Sequence, residues 1–337
     1  MIHEFKSIIT QAIINERNGL KSVMATVVFL EGSSYRKPGV RMLISENGIM
    51  TGAVSGGCVE NEIKRRASTV FKDNIAKIIT YDGRYRLGCE GVLYILIEPF
   101  RVSEAFISEF EVHLNKRQSL LIESYYKASE STNTAFGSVI VLDENRFVFS
   151  DNFNSDNSDE NDVFSQVLQP PFRLLIIGGE HDSVKLCTMA SLLGWNVDVV
   201  TSIKDPKCRS DFPGSTSVSA ATPDTIDFSI DNETAVVLMT HNYVKDLKYL
   251  IKLEPLKPKY IGILGSSKRK AQLQNELVHF VPDISESFFD IIFSPAGLHI
   301  GSITPEEIAL SILSEILAVV RGTKVSHLKS IKGKIHT

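Results

Sequence analysis

Apolar and polar positions are spaced in two different ways along this chain, and the change falls near residue 151. Before it the pattern is mixed. Ile2-His3-Glu4-Phe5-Lys6-Ser7-Ile8-Ile9 is broken by charge and opens an amphipathic helix over about residues 3–17. Strand-like runs follow at Ser22–Leu30, Arg41–Ser45 and Ile49–Val54. The last two flank Asn47-Gly48, whose tolerance of positive φ predicts a two-residue hairpin. Val59-Glu60-Asn61-Glu62-Ile63-Lys64 reads as the first turns of a helix. Further strands are expected at Val92–Ile97 and Ser119–Tyr126, and a second hairpin over Ser138–Ser150. Residues 1–150 therefore predict a mixed α+β domain whose topology the pattern leaves open.

From Asp151 to Asp162 the chain is acidic, rich in Asn and Ser, and nearly without apolar residues. Such a run buries nothing and reads as a linker over 151–171, stiffened at its end by Pro170-Pro171. Beyond it the alternation is regular. Leu174–Ile177, Val197–Val200, Ala235–Met239, Ile261–Leu264 and Ile291–Phe293 predict short buried strands. Helices are expected at Val184–Leu193, closed by Gly194, then at Val244–Leu253 and Lys268–Leu277. Thr304-Pro305-Glu306-Glu307 supplies an N-cap, a first-turn proline and a capping-box glutamate for a last helix reaching about Arg321. Buried strands alternating with helices predict a doubly wound, Rossmann-like parallel sheet over residues 172–325, followed by a basic tail at 326–337.

Bulk composition narrows the function classes. The chain has 337 residues, 43% of them apolar, enough for two real cores. Its net charge of −4 argues against a phosphate-backbone footprint, so nucleic acid is not an expected partner. No uninterrupted apolar run is long enough to span a membrane, and the N-terminus does not resemble a signal peptide. Four scattered cysteines, Cys58, Cys89, Cys187 and Cys208, form no C-x-x-C and no disulfide framework. A cytoplasmic location with reduced thiols is the expectation.

Candidate chemistry collects in two places. In the first half, Ser55-Gly56-Gly57-Cys58 surrounds a thiol with backbone, and the helix predicted after it would favour thiolate. A second such pair stands at Gly88-Cys89-Glu90-Gly91. Gly32-Ser33-Ser34-Tyr35-Arg36-Lys37-Pro38-Gly39 has the hydroxyls and cations that suit an anion. In the second half, Gly178-Gly179-Glu180-His181, Thr240-His241, Gly265-Ser266-Ser267-Lys268 and Ser294-Pro295-Ala296-Gly297 all fall at the carboxyl ends of strands, where doubly wound folds bind ligands. The first turn departs from a dinucleotide fingerprint, because Glu180 stands where backbone should meet pyrophosphate. The second strand ends in Val199-Val200-Thr201-Ser202, with no acid for a ribose. Both departures argue against bound NAD(P).

Taken together, these motifs resemble the XdhC/CoxI family. In the first half the resemblance rests on Gly32-Ser33-Ser34…Pro38-Gly39, Gly52-Ala53-Val54-Ser55-Gly56-Gly57-Cys58-Val59-Glu60 and Leu87-Gly88-Cys89-Glu90-Gly91. In the second it rests on Thr240-His241…Asp246, on the run from Tyr260 through Gly265-Ser266-Ser267-Lys268-Arg269-Lys270, and on Gly297-Leu298-His299-Ile300-Gly301…Thr304-Pro305-Glu306-Glu307. The resemblance implies a maturation factor for xanthine dehydrogenase-type molybdenum hydroxylases. Such a factor binds the molybdenum cofactor (molybdopterin) while a cysteine desulfurase supplies its sulfido ligand, then passes it to the apo-enzyme. It implies a cofactor-binding chaperone more than a catalyst, with a homodimer as the expected assembly. Cys58 is then the family's cysteine, set against the cofactor and its metal, with Cys89 beside it in a motif altered by Glu90. Ser55, Gly56, Gly57, Gly178, Gly179, His241, Gly265 and Ser266 complete the candidate cofactor contacts. A competing reading is an NAD(P)-dependent oxidoreductase with His241 as acid and base. A third is a purely structural adaptor, indifferent to both cysteines.

Overall fold

The computed structural model describes residues 2–32, 37–55, 57–83, 91–154, 161–227, 229–265 and 267–331, and for Cys58, Ser267 and Lys268 the backbone alone. The chain divides into two units, Met1–Pro170 and Pro171–Thr337.

The first unit runs α1 (Ile2–Arg17), β1 (Ser22–Glu31), β2 (Arg41–Ser45), β3 (Met50–Gly52), α2 (Cys58–Asp73), β4 (Lys77–Asp82), β5 (Val92–Phe100) and α3 (Glu104–Asn115). It continues through β6 (Leu120–Tyr126), β7 (Ser131–Thr132), β8 (Gly137–Leu142), β9 (Asn145–Val148) and β10 (Asp162–Leu168). Two antiparallel sheets form, in the orders β3-β2-β1-β5-β4-β7 and β10-β6-β8-β9. A hairpin joins β2 to β3, but its turn is longer than the two residues expected: Ser45 N–H donates to Ile49 O at 2.8 Å and Gly48 N–H to Ser45 O at 2.7 Å, and of the Asn47-Gly48 pair only Gly48 takes a positive φ, 86°.

The first sheet is covered on both faces, which is why β1 reads as one apolar run. One face packs on Val59, Ile63, Ala67 and Val70 of α2, spaced three and four apart as a single helical stripe. The other packs on Phe5, Ile8, Ile9 and Ala12 of α1 and on Ile122 and Ile140 of the second sheet. Residues 162–168, assigned by composition to the acidic linker, instead form β10. That strand pairs with β6 from Asp162 opposite Tyr126 to Leu168 opposite Leu120. Only Gln166 and Leu168 in it are buried, so two inward side chains suffice for an edge strand that looks polar in sequence.

The second unit runs β11 (Arg173–Ile177), α4 (His181–Leu192), β12 (Asn196–Thr201), β13 (Ser217–Ala220), β14 (Thr234–Leu238), α5 (Tyr243–Leu253) and β15 (Tyr260–Ile263). It ends with α6 (Ser267–Phe280), α7 (Glu286–Asp290), β16 (Ile292–Phe293) and α8 (Pro305–Val320). All six strands are parallel, in the order β13-β12-β11-β14-β15-β16. Counted from β11, this is the 3-2-1-4-5-6 order of a Rossmann sheet. Leu186, Ala190, Ile312 and Ile316 place α4 and α8 on one face, and Leu247, Leu250, Leu273 and Leu277 place α5 and α6 on the other. The cap expected at α8 is present: Glu307 N–H donates to Thr304 Oγ1 at 3.3 Å, and Thr304 N–H returns to Glu307 Oε2 at 3.0 Å.

Candidate functional site

The loop from β3 to α2 carries the first cysteine motif. Gly57 is the N-cap of α2 at φ 95°, and a Cβ there would meet nothing within 4 Å. The glycine is needed for its backbone angle, not for space. Cys58 is the first residue of the helix, as expected. Its side chain lies outside the described residues, as do Gly56, Cys89 and Ser266.

Glu60 organises this loop. Its carboxylate is buried and accepts from Val54 N–H at 3.2 Å, Ser55 N–H at 2.5 Å and Gly57 N–H at 2.6 Å. These are donors that a helix start and its lead-in leave orphaned, and a glutamate two residues beyond Cys58 satisfies them internally.

Strand register brings two of the three motif-bearing segments to one end of the first sheet. Glu31, at the end of β1, sits opposite Val92, at the start of β5. Asp82, at the end of β4, also pairs with Val92, and Gly83 N–H donates to Gly91 O at 3.0 Å. Toward the same end, β3 finishes at Gly52 opposite Met42. Gly52 is thus level with Ala25 in the middle of β1, while Glu31 and Asp82 are level with each other at the far end of the sheet.

A polar layer lies between the two sheets of this unit. Arg41 and Glu98 share one sheet face, since they pair with Thr26 and Met24 of β1. Glu98 is fully buried and accepts from Ser138 N–H at 2.7 Å and Ser138 Oγ at 2.6 Å. Arg41 is 7% exposed; its Nη1 donates to Gly39 O at 3.0 Å and to Gln166 Oε1. Burial pushes the Glu98 carboxyl up to about 7 and the Arg41 guanidinium down to about 10, each partly offset by the other's charge.

In the second unit, a cleft of about 340 Å³ opens at the strand ends where the sheet order reverses, with Gly178, Gly179, Thr201, Lys204, Thr240 and Lys245 on its walls. The glycines there have separate reasons. A Cβ on Gly178 would run into the carbonyl of Met239, so close passage of the next strand end requires glycine. Gly179 has ordinary room, its nearest neighbour being Thr201 Cγ2 at 3.5 Å. Glu180 is the exposed N-cap of α4 and makes no side-chain cap bond. Thr201 ends β12 buried, its hydroxyl donating to Ser219 O at 3.3 Å.

Thr240 and the basic stretch after Gly265 meet at Asp246. This aspartate is 1% exposed and accepts from Thr240 Oγ1 at 2.5 Å and Arg269 Nη2 at 2.5 Å. Burial raises its carboxyl, against the bond from Thr240 and the charge of Arg269. A Cβ on Gly265 would stand 2.8 Å from Arg269 Cδ, so this glycine makes way for the arginine. His241 is exposed with φ 52° in the turn between β14 and α5. Cys187 is buried, its thiol pushed up to about 11, while Cys208 is exposed. Among the described residues, no group of three or more His, Cys, Asp or Glu side chains is placed to hold a metal ion.

Four residues central to this geometry were not singled out in sequence: Glu60, Arg41, Asp246 and Arg269. Glu60 had a signal, since a glutamate three residues after a cap glycine is half of a capping box. Arg41 had none beyond a charge at the head of an apolar strand. Asp246 and Arg269 lie inside quoted motifs, but nothing in their spacing pairs them.

A Rossmann sheet preceded by a unit of two antiparallel sheets defines a class of protein, and comparison gives it a family. Residues 174–316 match the XdhC Rossmann domain, and residues 16–82 match the XdhC and CoxI family. The chain belongs to the XdhC and CoxI family. It is 30% identical over 321 residues to a Bacillus subtilis protein described as a probable xanthine dehydrogenase subunit, covering 88% of this chain and 92% of that one. It is 24% identical over 321 residues to the molybdenum cofactor insertion chaperone PaoD of Escherichia coli, covering 94% and 89%. A crystal structure described as a xanthine dehydrogenase from Bacillus halodurans superposes with a TM-score of 0.76 at 28% identity, covering 94% of this chain and 97% of that one.

Proposed function

We propose that this chain carries the molybdenum cofactor to a xanthine dehydrogenase-type enzyme, holding it at the Ser55–Cys58 loop while a cysteine desulfurase supplies the sulfido ligand. One observation carries the reading: Cys58 stands at the first position of α2, behind Gly57 at φ 95° and in a loop whose amides of Val54, Ser55 and Gly57 are held by Glu60. A relative described as a molybdenum cofactor insertion chaperone supports the choice of cargo. A molybdenum–dithiolene centre is soft and favours sulfur neighbours, which suits a cysteine. The chain's own share is to bind, shield and release; sulfur transfer belongs to the desulfurase. Cys58 holds the cargo or its metal, with Cys89 as its companion, and the chain acts as a homodimer.

The NAD(P) reading gains less. Gly178 and Gly265 both have packing reasons, and the exposed carboxylate of Glu180 stands at the helix start where a pyrophosphate would sit. The deciding experiment is anaerobic purification from a molybdenum-replete host, followed by metal and pterin analysis. The expected result is molybdenum and pterin in equal amounts, with both lost in Cys58→Ala. Equal cofactor content in Cys58→Ala would remove the cysteine from the site, and no cofactor in the unaltered protein would end the reading.

A further inference from the structure

A strand at the edge of a sheet presents unpaired N–H and C=O groups, and folded proteins blunt such edges by keeping them short, charged, bulged or capped. Most edges in this chain follow that rule. β3, β7 and β16 are three, two and two residues long. β9 carries Arg146, and beyond β7 the edge of β4 is closed by the Glu130 carboxylate, which accepts from Thr80 N–H at 2.9 Å. β10 departs from it: seven residues, Asp162–Leu168, without lysine, arginine or proline and in unbroken register with β6. The neighbouring ladders fix which way its backbone groups turn. Phe149, the residue after β9, donates its N–H to Ser138 O at 2.9 Å, so Ser138 turns toward β9. Antiparallel pairing alternates these directions along a strand, so Val139 turns to β6 and its partner Glu123 turns to β8. Ser165, opposite Glu123, therefore turns away from β6 to the open edge, together with Val163 and Val167. Among the described residues, no strand and no backbone hydrogen bond reaches these three from that side. Val163 and Val167 are 47% and 53% exposed.

We propose that β10 is the surface on which two copies of this chain join, antiparallel about a two-fold axis through Ser165. The proposal rests on the homodimer of the proposed function and names its contact, while standing apart from the identity of the cargo. The strand matches itself in this register. With Ser165 opposite its own copy, Val163 falls opposite Val167 of the partner subunit, and all three are outward-turned residues, so each pair exchanges two backbone bonds. An axis moved to Val163 or Val167 leaves fewer residues paired. Asp162, the one charge of the strand, faces Leu168 of the partner subunit, so no like charges are opposed. The small Ser165 stands where two side chains meet at the axis, and β-branched valines pair on either side of it. Such a contact is isologous: it joins two four-stranded sheets into one and leaves no β10 edge for a third copy.

Analytical ultracentrifugation of the full chain tests the contact. A dimer is expected for the unaltered protein. Ser165→Lys and Ser165→Glu each set two like charges against one another at the axis, and each is expected to weaken dimerisation about a hundredfold or more. Mixing the two variants opposes unlike charges there and is expected to restore a dimer holding one of each. Ser165→Pro removes an N–H that the ladder with β6 does not use, so the strand keeps its place in the sheet and the dimer is lost. Far-UV circular dichroism of each variant, matching that of the unaltered chain, separates loss of the contact from loss of the fold. A dimer that persists in both Ser165→Lys and Ser165→Pro overturns the β10 contact and leaves the homodimer to another surface. Monomeric Ser165→Lys and Ser165→Glu that fail to recombine overturn the two-fold register. A monomer for the unaltered chain overturns the contact and the homodimer together. A chain that dimerises through β10 yet purifies without molybdenum overturns the cargo and not the contact.

Discussion

Two turns in this molecule use the same ingredients, a strand, a pair of glycines, a glutamate and a helix, and arrive at opposite results. Before α2 the glutamate is two residues beyond the cysteine, folds back and takes three backbone N–H groups. Before α4 the glutamate is the cap residue itself and makes no cap bond. The first loop is closed by its own carboxylate. The second leaves its helix terminus open beside a cleft and places a negative charge at the rim. Position relative to the helix start, more than residue type, decides whether such a motif is a latch or an opening.

The comparison can be broken at three points. The largest effect is expected at Arg269→Ala in the second unit, which strands the buried Asp246 carboxylate. Removing one partner of a buried pair costs about 3–5 kcal/mol. Trp195, the one tryptophan of the chain, packs edge-on against Phe172 at 4.9 Å in that unit and reports its unfolding in urea. A transition displaced by less than about 1 kcal/mol would show that the pair does not hold the β14 and β15 ends together.

Next comes Glu60→Ala, which opens the latch. Loss of charged hydrogen bonds to three amides is expected to destabilise the first unit by about 2–3 kcal/mol. Far-UV circular dichroism should shift while the Trp195 transition stays in place. The isosteric Glu60→Gln keeps a carbonyl oxygen to accept from these amides and is expected to cost less than Glu60→Ala. An equal loss would mean that the carboxylate's charge, more than its shape, holds the loop. The smallest effect is expected at Glu180→Ser, where a hydroxyl supplies the missing cap and stabilises the second unit by about 1 kcal/mol. A loss of stability there would show that Glu180 has a partner in solution.

Much of the second unit was legible. Parallel strands buried on both faces read as continuous apolar runs, and Leu174–Ile177 and Ala235–Met239 fall within a residue or so of β11 and β14. Edge strands were not legible, since β13 and β10 are largely exposed and carry little pattern. The first unit was harder for another reason. Its strands pair antiparallel out of chain order, β1 lying between β2 and β5, and that choice is made by long-range packing. α3 escaped notice although Ser103 caps it, its Oγ accepting from Phe106 N–H at 3.1 Å. Of the candidate site, the cysteine, its glycines and the helix that follows were legible. The groups that set their electrostatics were not, because Arg41 meets Gln166 across a separation of 125 residues.

That last bond makes β10 matter beyond its length. A second half expressed from residue 151 would carry away a seven-residue strand that belongs to the other half's sheet. The donor would lose an edge, the Gln166 carboxamide and one of the bonds that orient Arg41. The recipient would gain an unpaired strand of the kind that seeds aggregation. The two halves can be parted cleanly only at Pro170-Pro171.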